Sequence, residues 1–346
     1  MVDSKQQWKA WIYLLPALIL LAVFTVYPII NTVKISLLEG YQPLGSVGGE
    51  QYAIGFSNFT KVIQYKDFLT CLKNTVILCV LTVPLSCFLA LLVAVCLNSI
   101  GRLGKFLQTI YFLPYVTNTI AIGMVFSMMF NIVGLTSVEV EAYKLAGGTF
   151  EIYNTYIDSN GIERGYIAQS WGIINNLIQA FGGDPINWIN AFKNINSEGG
   201  STYGANLAVM VIYIVWNALP FKILILLGGL QGVNKQYYDA AKIDGASRVR
   251  VFFRITVPLL SPMIAYVVIT GFIGGFKEYS SIVGIFGEHM GAPGAQNSLN
   301  TMVGFIYDCL DRDRDGVASA AALILFAIIF VVTMINLYVS KKKTHY

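Results

Sequence analysis

The chain has 346 residues, 55% of them apolar and only 12% charged, with a formal net charge of +4. A soluble domain carries about 25% charged residues. The composition therefore excludes an ordinary water-soluble protein and points to several membrane crossings joined by modest loops. The basic residues are spread over the flanks of apolar runs, which argues against nucleic acid as a partner.

Six apolar stretches have membrane-helix length: about 11–33, 74–97, 107–131, 205–230, 259–285 and 317–340. Each exceeds or approaches the roughly 20 residues that cross a bilayer core. The first is long, holds Pro16 and Pro28 and lacks a small-x-small cleavage site, so it reads as a retained anchor. Pro84, Pro114 and Pro220 are expected to kink their helices, because neighbouring helices can satisfy the freed carbonyls. The predicted class is an all-α membrane protein, one transmembrane domain over residues 1–346.

The segment 34–73 contains Gly40, Pro43, Gly45, Gly48 and Gly49, then an apolar piece over Ile54–Phe59 suited to the membrane surface. The longer segment 132–204 looks like a loop with an insertion near 135–170. There FEIYNTYI and ERGYIA flank Asp158-Ser159-Asn160-Gly161, the signature of a short β-hairpin. That insertion is either a tolerated decoration or a platform for a delivered partner. Asp311–Gly316 imitates the start of a calcium loop, but the twelfth position is Ala322 where a bidentate Glu is required, so a solvated turn is expected.

Lysine and arginine placement orients the spans. With the N-terminus inside, the short segments 1–10, 98–106, 232–257 and 341–346 hold twelve basic residues, from Lys5 and Arg102 to Lys343; the longer segments 34–73, 132–204 and 286–316 hold nine. Both termini are expected on the cytoplasmic side. Cys79, Cys87 and Cys96 fall inside the second stretch and behave as small apolar residues; Cys71 and Cys309 remain able to meet outside. His289 and His345 are the only histidines, and no nucleophile elbow, metal pair or phosphate loop appears. No cofactor is expected in this chain.

Residues 237–258 read YYDAAKIDGASRVRVFFRITVP. Asn234 can cap a first short helix, Asp244-Gly245 can end it, and Ser247 can cap a second that Pro258 limits. Asp244 is placed either to cap the Ser247 side or to meet a cation on a partner. Lys222, Lys277 and Glu278 lie inside expected spans, where charge is expensive and should face a cavity or a partner. Lys222 can alternatively snorkel to the membrane boundary.

The 232–257 segment resembles the EAA loop of binding-protein-dependent ABC permeases. The match rests on Asp239-Ala240-Ala241, Ile243-Asp244-Gly245-Ala246, Phe252, Ile255 and Pro258. IGFSNFTKVIQYKDFLTCLKNTV is similar to the family's entry to its second span, and Trp216–Phe221 to its W-x-x-x-P-F/Y turn. The resemblance implies six transmembrane helices in the type I ABC importer permease fold. It further implies a second homologous permease subunit, two ABC ATPase subunits carrying ATP and Mg, and an extracytoplasmic solute-binding protein, in a bacterial cell membrane. It assigns ATPase coupling to Asp239, Ala240, Ala241, Asp244, Gly245, Ala246 and Phe252. It assigns a carbohydrate pathway, as in maltose-type members, to Asn217, Ala218, Phe221, Gly271, Gly274, Gly275 and Glu278. Close helix packing through small residues is an equal reading of the three glycines. The chain departs from the family pattern at DAA for EAA, near Phe126 and Met128, and at Ser280. Those departures leave a non-sugar solute open; a polytopic enzyme or a scaffold subunit fits less well.

Overall fold

A computed structural model describes residues 7–41, 52–100, 104–134, 136–189, 202–288, 290–291 and 298–343. Lys5, Pro43, Gly45, Gly48, Gly49, Arg102, His289 and His345 lie outside the described residues. The chain falls into two compact units, residues 1–72 with 302–330 and residues 73–301 with 331–346.

The first unit begins with helices α1 (Gln7–Leu21) and α2 (Tyr27–Leu37), joined without a break by a π-helical turn at Ala22–Val26. The turn has a local cause. Pro28 has no N–H to offer and its ring crowds the preceding turn, so the helix widens and Tyr27 N–H reaches Ala22 O, five residues back. No residue over Trp11–Leu37 is covered by protein except near its end, as suits a helix that faces lipid or a partner. Helix α3 (Ser57–Gln64) follows, and its buried Asn58 donates to the carbonyls of Ser36 (3.0 Å) and Leu38 (2.9 Å), satisfying the end of α2. Gly316 leaves room for that amide: a Cβ there would lie 2.7 Å from Asn58 Nδ2. In the same unit Phe305 of α15 (Met302–Leu310) meets the edges of Tyr65 and Phe68. Arg314 donates to the Tyr65 hydroxyl across the face of its ring. The Asp311–Gly316 turn thus caps a packed corner, with Asp313 in the left-handed region at φ 54°. Cys71 and Cys309 are buried here and are not joined in a disulfide.

The second unit is built on α4 (Lys66–Ser99, from Lys73 onward), α9 (Tyr203–Gln231) and α13 (Ser261–Gly275). One apolar core joins Val83, Ala90 and Ala94 of α4 to Leu226 and Leu230 of α9 and to Leu260 and Val267. A second gathers Leu78, Phe130, Val209, Met210, Tyr213, Ile282 and Leu299. Asn74 ties loop to helices: its amide donates to Ser298 O (2.8 Å) and Asn300 O (2.9 Å) and accepts from the Tyr203 hydroxyl (2.8 Å).

Among the described residues four helices are long and apolar enough to cross a membrane: Trp11–Leu37, Lys66–Ser99, Tyr203–Gln231 and Asp315–Lys341 within α16 (Asp315–Lys343). Arg248–Leu259 and Ser261–Gly275, bent by 70°, make up to a fifth. The stretch expected as one helix over 107–131 is instead α5 (Gly104–Val116) and α6 (Thr119–Phe130). Asn118 makes the break: in extended conformation, its Oδ1 accepts from Ile120 N (2.9 Å) and Ala121 N (3.2 Å), starting a new helix. The stretch expected over 259–285 also breaks. Helix α13 stops at Gly275, and α14 (Ser280–Phe286) starts after a four-residue turn. Helices α6 and α14 approach closely enough that a Cβ on Gly123 would lie 2.7 Å from Gly284 Cα.

The insertion folds into a small sheet. Strands β1 (Thr136–Glu139), β2 (Tyr153–Ile157) and β3 (Glu163–Ile167) form an antiparallel sheet in the order β1-β3-β2, with helix α7 (Val140–Leu145) between β1 and β2. Asp158 holds the β2–β3 turn: it accepts from the N–H of Asn160 (2.8 Å) and Ile162 (3.0 Å) and pairs with Arg164 Nε (2.7 Å). Val133 and Ser170 bridge at its base. Helix α8 (Gly172–Ala180) is anchored by buried Asn175, whose side chain bonds both the N–H and carbonyl of Ile186 and the Trp188 indole.

Candidate functional site

Two sites emerge in the second unit. The first is an elbow. Helix α10 (Lys235–Ile243) is capped by Asn234, whose Oδ1 accepts from Gln236 N at 3.0 Å. It ends in a left-handed turn at Gly245 (φ 66°), where Gly245 N–H bonds Lys242 O and Ala246 N–H bonds Ala241 O. Ser247 then caps α11 (Arg248–Val251) through Arg250 N at 3.3 Å. Pro258 was expected to limit this second helix. The helical path instead runs on through a π turn at Phe252–Thr256 into α12 (Val257–Leu259). The reason repeats that at Pro28: Val257 N–H reaches back five residues to Phe252 O, relieving the crowding.

A cleft of about 630 Å³ opens in the elbow. Ala240, Ala241, Asp244 and Ala246 line it with Tyr237, Arg250 and Arg254. The remaining positions implied for coupling lie elsewhere. Asp239 is exposed and pairs with Lys242 at 3.4 Å. Phe252 packs under the elbow on the apolar core. Gly245 stands in open space, where an added Cβ meets nothing within 4 Å. Its demand is therefore conformational. The Asp244 carboxylate is exposed and faces the same cleft as the two arginines, while capping of the second helix is done by Ser247.

The second site is a cavity of about 280 Å³ between α4, α5, α9 and α13. All seven pathway positions, Asn217, Ala218, Phe221, Gly271, Gly274, Gly275 and Glu278, line it. Residues 217 and 218 lie one turn before 221 on α9, and 271 lies one turn before 274 and 275 on α13. The glycines divide between the two readings. A Cβ on Gly275 would lie 2.8 Å from Cys79 Sγ, and one on Gly271 3.0 Å from Val83, so both permit close approach to α4. Gly274 faces open space. Phe221 stacks on Tyr115 (5.7 Å between centroids, 19° between planes), an aromatic surface beside the amide of Asn217. Half-buried Glu278 accepts from Ser281 N at 3.2 Å. Lys277 turns out exposed, as two adjacent residues at the end of a helix must diverge. Phe126 packs against Trp216 (5.0 Å) and Tyr213 (4.9 Å).

Sequence reasoning did not include Thr82, Ser86, Tyr115 and Thr270 among the lining residues and left Lys222 open between a cavity and the membrane boundary; all five line the cavity. For Lys222 the signal was its charge inside an apolar stretch. It does not snorkel: it is 6% exposed and donates to Ser86 Oγ at 2.5 Å. For Thr82 and Ser86 no signal existed, since each hydroxyl can bond its own helix, at Leu78 O and Thr82 O. Among the described residues no group of three or more His, Cys, Asp or Glu side chains is placed to hold a metal.

The chain is similar to several known transport proteins. The arabinooligosaccharides transport system permease protein AraP of Bacillus subtilis is 28% identical over 334 residues, covering 95% of this chain and 88% of that protein. The lactose transport system permease protein LacF of Rhizobium radiobacter is 25% identical over 340 residues, covering 97% and 95%. A crystal structure of a bacterial ABC transporter involved in import of the acidic polysaccharide alginate superimposes with TM-score 0.68 at 19% identity, covering 99% of this chain and 98% of that one. The fold is thus that of an ABC importer permease, predominantly helical and embedded in a membrane. The family model for the binding-protein-dependent transport system inner membrane component matches residues 73–345, and the chain belongs to that family.

Proposed function

We propose that this chain is one of two homologous permease subunits of an ATP-driven importer for an oligosaccharide or other carbohydrate. The observation that carries the reading is the cavity. Positions from α9 and α13, implied independently by motif, converge with Tyr115 on one wall that offers an amide, a carboxylate and aromatic faces. Amides and carboxylates bond sugar hydroxyls, and aromatic faces cover pyranose rings. The curated relatives named above transport oligosaccharides and lactose, which supports a sugar over another solute.

The rest of the assembly follows from the same reading. Residues 1–346 act as one permease domain with six crossings, the third made by α5 and α6 together and the fifth by α12, α13 and α14. Residues 132–204 face outward and meet a solute-binding protein; 232–257 and both termini face the cytoplasm of a bacterial cell. ATP and Mg bind on two partner ATPases that dock at the elbow. Closure of the ATPase pair moves the elbow as a lever and opens the cavity outward, a coupling between distant sites that requires differential contacts in the two states.

Two measurements test this. ATP-dependent uptake of labelled oligosaccharides by vesicles holding the two permeases, ATPase and binding protein should vanish when this chain is omitted; uptake that persists overturns the assignment. Asn160→Cys should be labelled by an impermeant thiol reagent from outside the cell and Lys242→Cys should not. The reverse pattern overturns the topology.

A further inference from the structure

A buried ammonium is costly unless a charge or several hydrogen bonds compensate it. Lys222 is 6% exposed, yet its partners are neutral: the Ser86 hydroxyl at 2.5 Å, with the Cys87 thiol beside it. An ammonium has three donors. Among the described residues no carboxylate is ion-paired with it. The site is shaped around the cation. Gly271 carries no side chain where a Cβ would lie 3.2 Å from Lys222 Nζ. The one carboxylate on the wall, Glu278, lies by Cys79, whereas Lys222 lies by Cys87, eight residues and roughly 12 Å further along α4 at helical rise. Glu278 already accepts from Ser281 N.

The cavity is therefore bipolar, with a cation at one end and a carboxylate at the other. A neutral sugar leaves the ammonium uncompensated. A solute with one anionic group satisfies it, and Glu278 repels that group from the opposite end, so the solute enters in one orientation. We propose that Lys222 is the specificity-determining residue of this cavity and that the saccharide carried bears an anionic substituent such as a uronic carboxylate. The inference rests on the carbohydrate reading above.

The test is uptake by the complete transporter of a panel of uronate-containing oligosaccharides and their carboxyl-reduced, neutral counterparts. The readout is the ratio of acidic to neutral uptake, which does not depend on the amount of assembled protein. The wild type should favour the acidic member. Lys222→Gln should lower the ratio about tenfold or more, as loss of a charge-assisted bond implies, and Lys222→Arg should retain it. A wild-type preference for the neutral sugars overturns the inference, whatever the variants do. So does an unchanged ratio in Lys222→Gln, which would leave Lys222 a structural bridge to Ser86 or a partner of the second permease. If the wild type carries neither kind of saccharide but another solute class, the carbohydrate reading itself has failed.

Discussion

The elbow and the cavity are made by opposite means. The bonds that cap and turn the helices of the elbow are local: Asn234 to Gln236, Gly245 to Lys242, Ser247 to Arg250. The elbow exposes Ile243 (86%), Val249 (67%) and Phe253 (62%). An exposed apolar knob on a capped frame is suited to be grasped by another protein. The cavity depends on contacts between residues far apart in sequence, such as Lys222 with Ser86, and on small residues that let helices approach. The difference teaches that an elbow can be specified by a short segment, whereas a cavity is specified by how helices meet. Mutations should accordingly separate the two.

The largest effect is expected at Gly245. Its φ of 66° costs an ordinary residue about 1–2 kcal/mol, and nothing in the chain itself clashes with a side chain there. Gly245→Val should leave the protein in the membrane, abolish uptake and lower recovery of co-purified ATPase. Normal uptake with normal ATPase recovery would remove the elbow from the coupling role.

Next come the glycines of α13, which sharpen the contrast within the cavity. Gly275→Leu meets Cys79 and should destabilise the helix pairing by about 1–3 kcal/mol, seen as lost thermal stability of the purified complex. Gly274→Leu points into open space and should leave stability unchanged while reducing uptake. Equal destabilisation by both would mean that the cavity is not open at Gly274.

A smaller effect is expected for the polar wall. Glu278→Ala and Asn217→Ala should each raise the half-saturating solute concentration several-fold, since a hydrogen bond to a neutral hydroxyl is worth about 0.5–1.5 kcal/mol. ATPase recovery should stay normal. Unchanged uptake in both would place the contacts on the partner subunit.

The smallest effect concerns the β-sheet of the insertion, which belongs to neither region. The Arg164 guanidinium and the Ile162 N–H hold the Asp158 carboxyl below its ordinary range. The ionised form is thus favoured in the folded turn. Its contribution is present above the ordinary carboxylate range and is lost as pH falls through the lowered value. Amide exchange at Ile162 should rise on acidification in the wild type, while Asp158→Asn should show the faster exchange already at neutral pH. Exchange independent of both pH and Asp158 would remove this carboxylate from the turn.

Much of the fold was legible because short-range chemistry dictates it. Four apolar stretches became long helices, and the capping residues Asn234 and Ser247 and the exit at Gly245 act where their side chains and φ requirements place them. Two stretches expected to be continuous were not. Hydropathy measures transfer into lipid and is blind to backbone direction, so it passed over Asn118 and the Gly275–Ser280 turn. Strand β1 was missed because four residues, Thr136–Glu139, become a strand only by pairing with β3.

By itself, then, the sequence determined a helical membrane protein, the frame of the elbow and the positions where charge enters apolar stretches, since propensity, capping and desolvation act within a few residues. Only the tertiary structure decided that Gly274 is open while Gly271 and Gly275 are contacts, that Phe252 lies under the elbow, and that Lys222 is turned inward against Ser86. These depend on distances between helices, and a distance between helices is set by every side chain along both.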